Sequence, residues 1–114
     1  MAFGLSVTQH KRASVVHVSG RLDSSTAPQF EAAIQKLIDG GHSQLVMDLS
    51  ATEYMSSAAF RALISAHKQV HKGTRRGDVL IAGASPKLIE TFKLGGFDEL
   101  FKFYDNQVDA VGSF

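Results

Sequence analysis

Asp48-Leu49-Ser50-Ala51-Thr52-Glu53-Tyr54-Met55-Ser56-Ser57-Ala58-Ala59-Phe60 joins an apolar strand to a helix start, and this junction decides the fold. Upstream, Leu45, Val46 and Met47 form the short apolar run of a buried strand, placed at Leu45 to Leu49; downstream, Phe60, Leu63, Ile64 and Val70 recur at nearly helical spacing. The intervening residues are expected to be a loop that delivers two adjacent serines to the helix N-terminus. Unpaired backbone N–H groups and a partial positive charge gather there, so a phosphate on Ser57 is stabilised locally. A plain capping role for Ser56 or Ser57 fits the same residues.

Working outward, Leu5, Val7 and Gln9 alternate with Ser6 and Thr8, and Val15-Val16-His17-Val18 follows a charged turn, the pattern of an N-terminal hairpin. Gly20-Arg21-Leu22-Asp23 is read as leaving the sheet. Thr26 then precedes Ala27, Pro28 and Gln29 in a capping-box-like start, with Phe30, Ala33, Ile34, Leu37 and Ile38 on one helical face and Gly40-Gly41 as the stop. The second helix is expected to stop near Gly73. Asp78 to Ala82 reads as a strand, Ser85-Pro86 as the start of a third helix closed by Gly95-Gly96, and Phe101 to Tyr104 as a last short strand. The tail from Asn106 has room for one or two further helical turns. Strands alternating with helices after a hairpin predict an α/β domain: a mixed sheet of four to five strands flanked by about four helices. Functional loops of such sheets lie at the carboxyl ends of the strands, where both Asp23 and the serines fall.

The 114 residues suit one domain, with its core over about 5–108. Lys and Arg number 12 against 11 Asp and Glu, which leaves no global field for nucleic acid or an acidic partner. With no cysteine, disulfides and thiolate chemistry are excluded. The first twenty residues are broken by His10, Lys11 and Arg12 and resemble neither a secretory signal nor a membrane span, so a cytoplasmic protein without membrane insertion is expected.

The ordered set of these stretches, from about Leu5 to about Val108, resembles the STAS domain of bacterial anti-sigma factor antagonists. Gly20-Arg21-Leu22-Asp23 with Thr26-Ala27-Pro28 is similar to the family's Gly-Glu-Leu-Asp and Ala-Pro stretch. Asp48-Leu49-Ser50 leading to Tyr54-Met55-Ser56-Ser57-Ala58-Ala59 is similar to its phosphorylation loop, and Ser85-Pro86 through Phe92 and Gly95-Gly96-Phe97 to its late helix and glycine turn. The family loop usually reads Asp-Ser-Ser-Gly or Asp-Ser-Thr-Gly, with the serine after Asp phosphorylated. Here Ser56 replaces the Asp, Ser57 holds the acceptor position, and Ala58 and Ala59 replace the second hydroxyl and the glycine.

The resemblance implies a partner switch. The unphosphorylated protein binds an anti-sigma factor or related serine kinase, phosphorylation of Ser57 (or, as the substitute, Ser56) ends binding, and a PP2C-type phosphatase reverses the modification. The implied partner surface is Asp23, Ser24, Tyr54, Met55, Ser56, Ala58, Ala59 and Arg61 on a free monomer, with no cofactor and no metal. The spacing of Met55 and Phe60 also suits burial. The alternative within the same fold is a regulatory or scaffold subunit of a transporter, lipid-transfer or signalling assembly without a sigma-factor target.

Other classes find little support in the residues. No Gly-x-Ser-x-Gly elbow surrounds either serine, and nothing places His10, His17, His42, His67 or His71 beside them. His67 and His71 lie four apart on a predicted helix, but no third ligand accompanies them in sequence, and a solvated face is the expectation. Lys68, Lys72, Arg75 and Arg76 form a basic cluster near a helix C-terminus, where the dipole already favours cations, and lack the aromatic interleaving of a nucleic-acid surface.

Overall fold

The computed structural model describes residues 3–72 and 77–114. Five strands, β1 (Gly4–Gln9), β2 (Ser14–Leu22), β3 (Gln44–Met55), β4 (Asp78–Ala82) and β5 (Lys102–Tyr104), form one sheet in sequential order. The β1–β2 hairpin is antiparallel and the remaining pairs are parallel. Helices α1 (Ala27–Asp39), α2 (Ser57–Val70) and α3 (Pro86–Leu94) are the crossovers between parallel strands, and α4 (Gln107–Gly112) follows β5. Because the sheet grows in one direction, right-handed crossovers put α1, α2 and α3 on the same face.

Two layers of core result. Val16, Val18, Leu45, Met47, Leu49, Val79 and Ile81 pack with the crossover helices, while Val15, Val46, Leu80 and Ala82 on the other face pack with Ala110 of α4. Phe92 of α3 is fully buried and makes edge contacts with Phe60 at 4.8 Å and Phe103 at 5.0 Å between ring centroids, so the start of α2 is tied through α3 to β5. Gln35 and Gln69 exchange reciprocal amide hydrogen bonds of 2.9 Å and join α1 to α2.

Two strands run further than the sequence pattern suggests. β3 continues through Met55 and β2 through Leu22, so Ser50 to Met55 is strand rather than loop, and Gly20-Arg21-Leu22 stays in the sheet. The two extensions pair with each other, from Ser19↔Ala51 to Leu22↔Met55, across register shifts at His17/Ser19 and Gly20/Arg21. Gly20 has φ +84°, which a bulge of this kind accommodates without a Cβ. The start of α1 also differs. Thr26 makes no side-chain cap; its hydroxyl donates to Arg21 O at 2.7 Å and accepts from Asp23 N–H at 3.0 Å. The second helix ends at Val70; Gly73, Arg75 and Arg76 lie outside the described residues.

On the α4 side of the sheet, Asp48 accepts from His17 Nδ1 at 2.9 Å and from Ser50 N–H and Oγ at 3.1 and 2.7 Å, and His17 Nε2 in turn meets Thr8 Oγ1 at 2.9 Å. Burial pushes the Asp48 carboxyl up, but the Ser50 and His17 hydrogen bonds outweigh it and hold it below the usual 3.8. A carboxylate with a depressed folded pKa contributes stability that is complete above its unfolded pKa and lost as pH falls through the folded one. Asp48→Asn is therefore expected to lower stability by about 1–2 kcal/mol at neutral pH and to flatten the acid limb of stability below about pH 4. Denaturant melts of both proteins across the acid range check this.

Gly83 closes β4 at φ +69°, and a Cβ there would sit 2.8 Å from Ser50 Cβ and 3.2 Å from Ser50 Cα. Gly83→Ala combines a left-handed conformation with backbone crowding. It is expected to cost about 1–3 kcal/mol, read as a lower denaturation midpoint with an unchanged slope.

Candidate functional site at the carboxyl ends of β2 and β3

The paired extensions of β2 and β3 bring the Asp23 and Ser56-Ser57 stretches together. Beyond the last register pair, Leu22↔Met55, the Ser56 N–H donates to Leu22 O at 2.7 Å. Asp23 follows immediately on β2, and Ser57 follows β3 after the single residue Ser56. Asp23 is the turn carboxylate: Oδ1 accepts from the Ser25 hydroxyl at 2.6 Å, from Ser25 N–H at 3.0 Å and from Thr26 N–H at 3.2 Å. Those bonds, Ser25's first, hold the Asp23 carboxyl below the usual 3.8. Its role in this geometry is to order the entry to α1.

Ser56 is the N-cap of α2, with extended backbone and its Oγ accepting from Ala59 N–H at 3.4 Å. Ser57 is the first helical residue and is exposed. Met55 and Phe60 occupy the N′ and N4 positions, those of a hydrophobic staple, and are only 4% and 6% exposed. Burial thus holds the strand-to-helix turn from below while Ser57 faces solvent above. The first turn of α2 carries no acidic side chain, so the positive end of the helix is not neutralised by its own residues.

The expected surface residues fall into three groups by exposure, Asp23 being half-buried. Ser24, Tyr54, Ser57 and Arg61 are exposed, and Ser56 and Ala58 are half-buried. Met55 and Ala59 are buried, Ala59 completely, so neither offers side-chain surface to a partner. The Ala59 methyl that replaces the family's glycine joins the core beneath α2 and does not crowd the outer face. Arg21 lies over the Tyr54 ring at 4.3 Å from its centroid, an exposed cation–π pair on strands β2 and β3 that the spacing had not suggested.

Two grooves flank Ser57. One of about 460 Å³ runs between α1 and α2, bordered by Ser24, Pro28, Glu31, Ala58 and Arg61. The other, about 510 Å³, lies between α2 and α3, bordered by Tyr54, Ser57, Phe60, Arg61 and Leu94. Leu94 is 81% exposed, a large apolar side chain on the rim that was absent from the sequence expectation. Arg61 borders both grooves and stands one helical turn after Ser57, at the i, i+4 spacing that makes the two residues neighbours on the helix surface.

The STAS domain family model matches residues 5–110. The chain belongs to the STAS domain family. Its relatives include the anti-sigma-F factor antagonist RsfB of Mycobacterium tuberculosis, 26% identical over 107 residues, which span 94% of this chain and 85% of that protein. Among solved structures, an anti-sigma factor antagonist from Mycobacterium paratuberculosis is similar at TM-score 0.85 and 30% identity, covering 98% of this STAS domain and 93% of that chain. The Bacillus cell fate determinant SpoIIAA in its phosphorylated form shares the fold at TM-score 0.73 and 18% identity, with 98% of each chain covered. No helix among the described residues of this STAS domain is long and apolar enough to cross a membrane.

Serine and aspartate are comparable N-caps, so Ser56 caps α2 without the charge that an aspartate would bring. Ser56→Ala is expected to cost about 0.5–1 kcal/mol. Ser56→Asp is expected to stabilise the unphosphorylated protein by about 0.3–1 kcal/mol through the helix dipole. Thermal or denaturant unfolding of the two variants beside the parent separates cap from charge.

Proposed function

We propose that this STAS domain is an anti-sigma factor antagonist that works by phosphorylation-controlled partner switching, with Ser57 as the acceptor. The observation that carries this reading is the placement of Ser57: an exposed hydroxyl at the first position of the 14-residue helix α2, on a strand-end surface it shares with Ser24, Tyr54 and Arg61. The relatives named as anti-sigma factor antagonists support the role. SpoIIAA, which shares the fold, has been solved both unphosphorylated and phosphorylated, in keeping with a switch of this type.

In the unphosphorylated state the surface around Ser57 is polar at its centre and apolar at its rim, with Tyr54 and Leu94 each exposed by 41% or more. An anti-sigma factor with serine kinase activity docks there, releases its sigma factor and delivers phosphate to Ser57. The phosphate adds about −1.5 to −2 charges at pH 7. In the free protein those charges meet the α2 amides and the Arg61 side chain; in the complex they must be desolvated against the partner. The same group therefore stabilises the free domain and destabilises the complex. Only about 1.4 kcal/mol of differential free energy weakens binding tenfold. A PP2C-type phosphatase returns the protein to its binding state, and the cycle runs in the cytoplasm on a monomer. This domain regulates by binding and is not a catalyst.

The test is an affinity measurement with the cognate anti-sigma kinase. Ser57-phosphorylated protein is expected to bind at least about tenfold more weakly than unphosphorylated protein, and Ser57→Ala to bind like the latter. Arg61→Ala is expected to remove part of the thermal stabilisation that phosphate brings to the free domain. Equal affinity of the two phosphorylation states would contradict the proposal.

A further inference from the structure

His67 and His71 face the same side of α2, one turn apart, with ring centroids 4.2 Å apart. The fold supplies the third group that the helix lacks. Asp78, the first residue of β4, lies with Oδ1 at 3.5 Å from His71 Nε2, and one donor atom from each of the three residues falls within 4.8 Å of the others. We propose that His67, His71 and Asp78 form a binding site for a divalent transition-metal ion of the zinc class, joining the end of α2 to the start of β4.

The hydrogen bonds around these groups carry the argument. His71 Nδ1 lies 2.7 Å from the carbonyl oxygen of His67, which can only accept, so Nδ1 bears a proton and Nε2 is the ring nitrogen that faces Asp78. Nε2 and Asp78 Oδ1 face each other at 3.5 Å, a separation long for a direct hydrogen bond. It is also close to the edge of a zinc tetrahedron, about 3.3–3.4 Å for metal–ligand bonds near 2.0–2.1 Å. The bond from His71 Nδ1 to a backbone carbonyl is the outer support that metal-ligating histidines commonly have. Asp78 Oδ1 is likewise held, accepting from Val79 N–H at 2.9 Å.

His67 adds an independent sign. Its Nδ1 is buried and has no hydrogen-bond partner among the described residues, a condition that costs free energy. The ring is fixed edge-on against Phe101 at 5.5 Å. Two imidazoles and one carboxylate select zinc, cobalt, nickel or copper over magnesium or calcium, which take all-oxygen shells. Three protein ligands leave one tetrahedral position open, on the side where His71 is 41% exposed.

The experiment uses the full chain without a histidine tag, stripped with chelator, titrated calorimetrically with zinc chloride and spectroscopically with cobalt chloride at neutral pH. One ion per chain at micromolar affinity, tetrahedral cobalt absorption bands and a raised thermal midpoint with zinc but not magnesium are expected. His71→Ala and Asp78→Asn, both at partly exposed positions, should each weaken zinc binding by more than about tenfold, and His42→Ala should leave it unchanged. Absence of saturable binding, or binding that survives both His71→Ala and Asp78→Asn, would overturn the proposal. In the first case a protonated His71 simply pairs with Asp78, and in the second the ion sits on other histidines.

Discussion

The parallel ladder between the distal halves of β2 and β3 is the constraint on which the candidate site depends. Without it, Asp23 and Ser57 would lie on two independent loops with unrelated positions. With it, the pairing Leu22↔Met55 and the 2.7 Å bond from Ser56 N–H to Leu22 O place the entries of α1 and α2 side by side. The register shift at Gly20 lets β2 keep step with β3 to its end. Burial of Met55 and Phe60 then clamps the turn so that the following helix starts at Ser57. A partner thus meets a preformed surface, which lowers the ordering cost of association.

The chemistry of that surface is governed by the helix end. A neutral N-cap and a first turn without acidic residues leave the amide end of α2 electrostatically unsatisfied, which suits a phosphate on its first residue. The substitutions relative to the common family loop act in different directions. Ser56 removes a carboxylate that would repel the phosphate while keeping the cap. Ala59 changes the inner side of the helix, where its methyl is covered by the core. The outer face therefore keeps an exposed hydroxyl at Ser57, and the polar groups about it are Ser24, Tyr54 and Arg61.

Most of the architecture was legible because it is written in local signals. Pro28 and Pro86 at helix starts, Ser85 as a cap and the apolar stripes of α1, α2 and α3 all report their own positions, and the structure has them there. The ends of β2 and β3 were not legible. Ser50, Ala51, Glu53 and Tyr54 are exposed, and only Thr52 and Met55 turn inward, so the stretch lacks the apolar run that marked Leu45 to Leu49. Its strand character comes from pairing with β2, a long-range interaction that no window of sequence contains. Thr26 misled for a related reason: its hydroxyl is engaged by Arg21 and Asp23, and the turn is capped from the aspartate instead. The nearness of Asp78 to the His67–His71 pair was equally invisible, since it requires the α2-to-β4 crossover to fold back before the third group arrives.

Phosphosite mapping by intact mass and fragmentation of the protein recovered from its native host, beside Ser56→Ala and Ser57→Ala versions, tests the central claim most directly. The account predicts one phosphate, on Ser57, present in the parent and the Ser56→Ala protein and absent only from Ser57→Ala. A phosphate that persists in Ser57→Ala, or its complete absence from the parent when the cognate kinase is active, would contradict it.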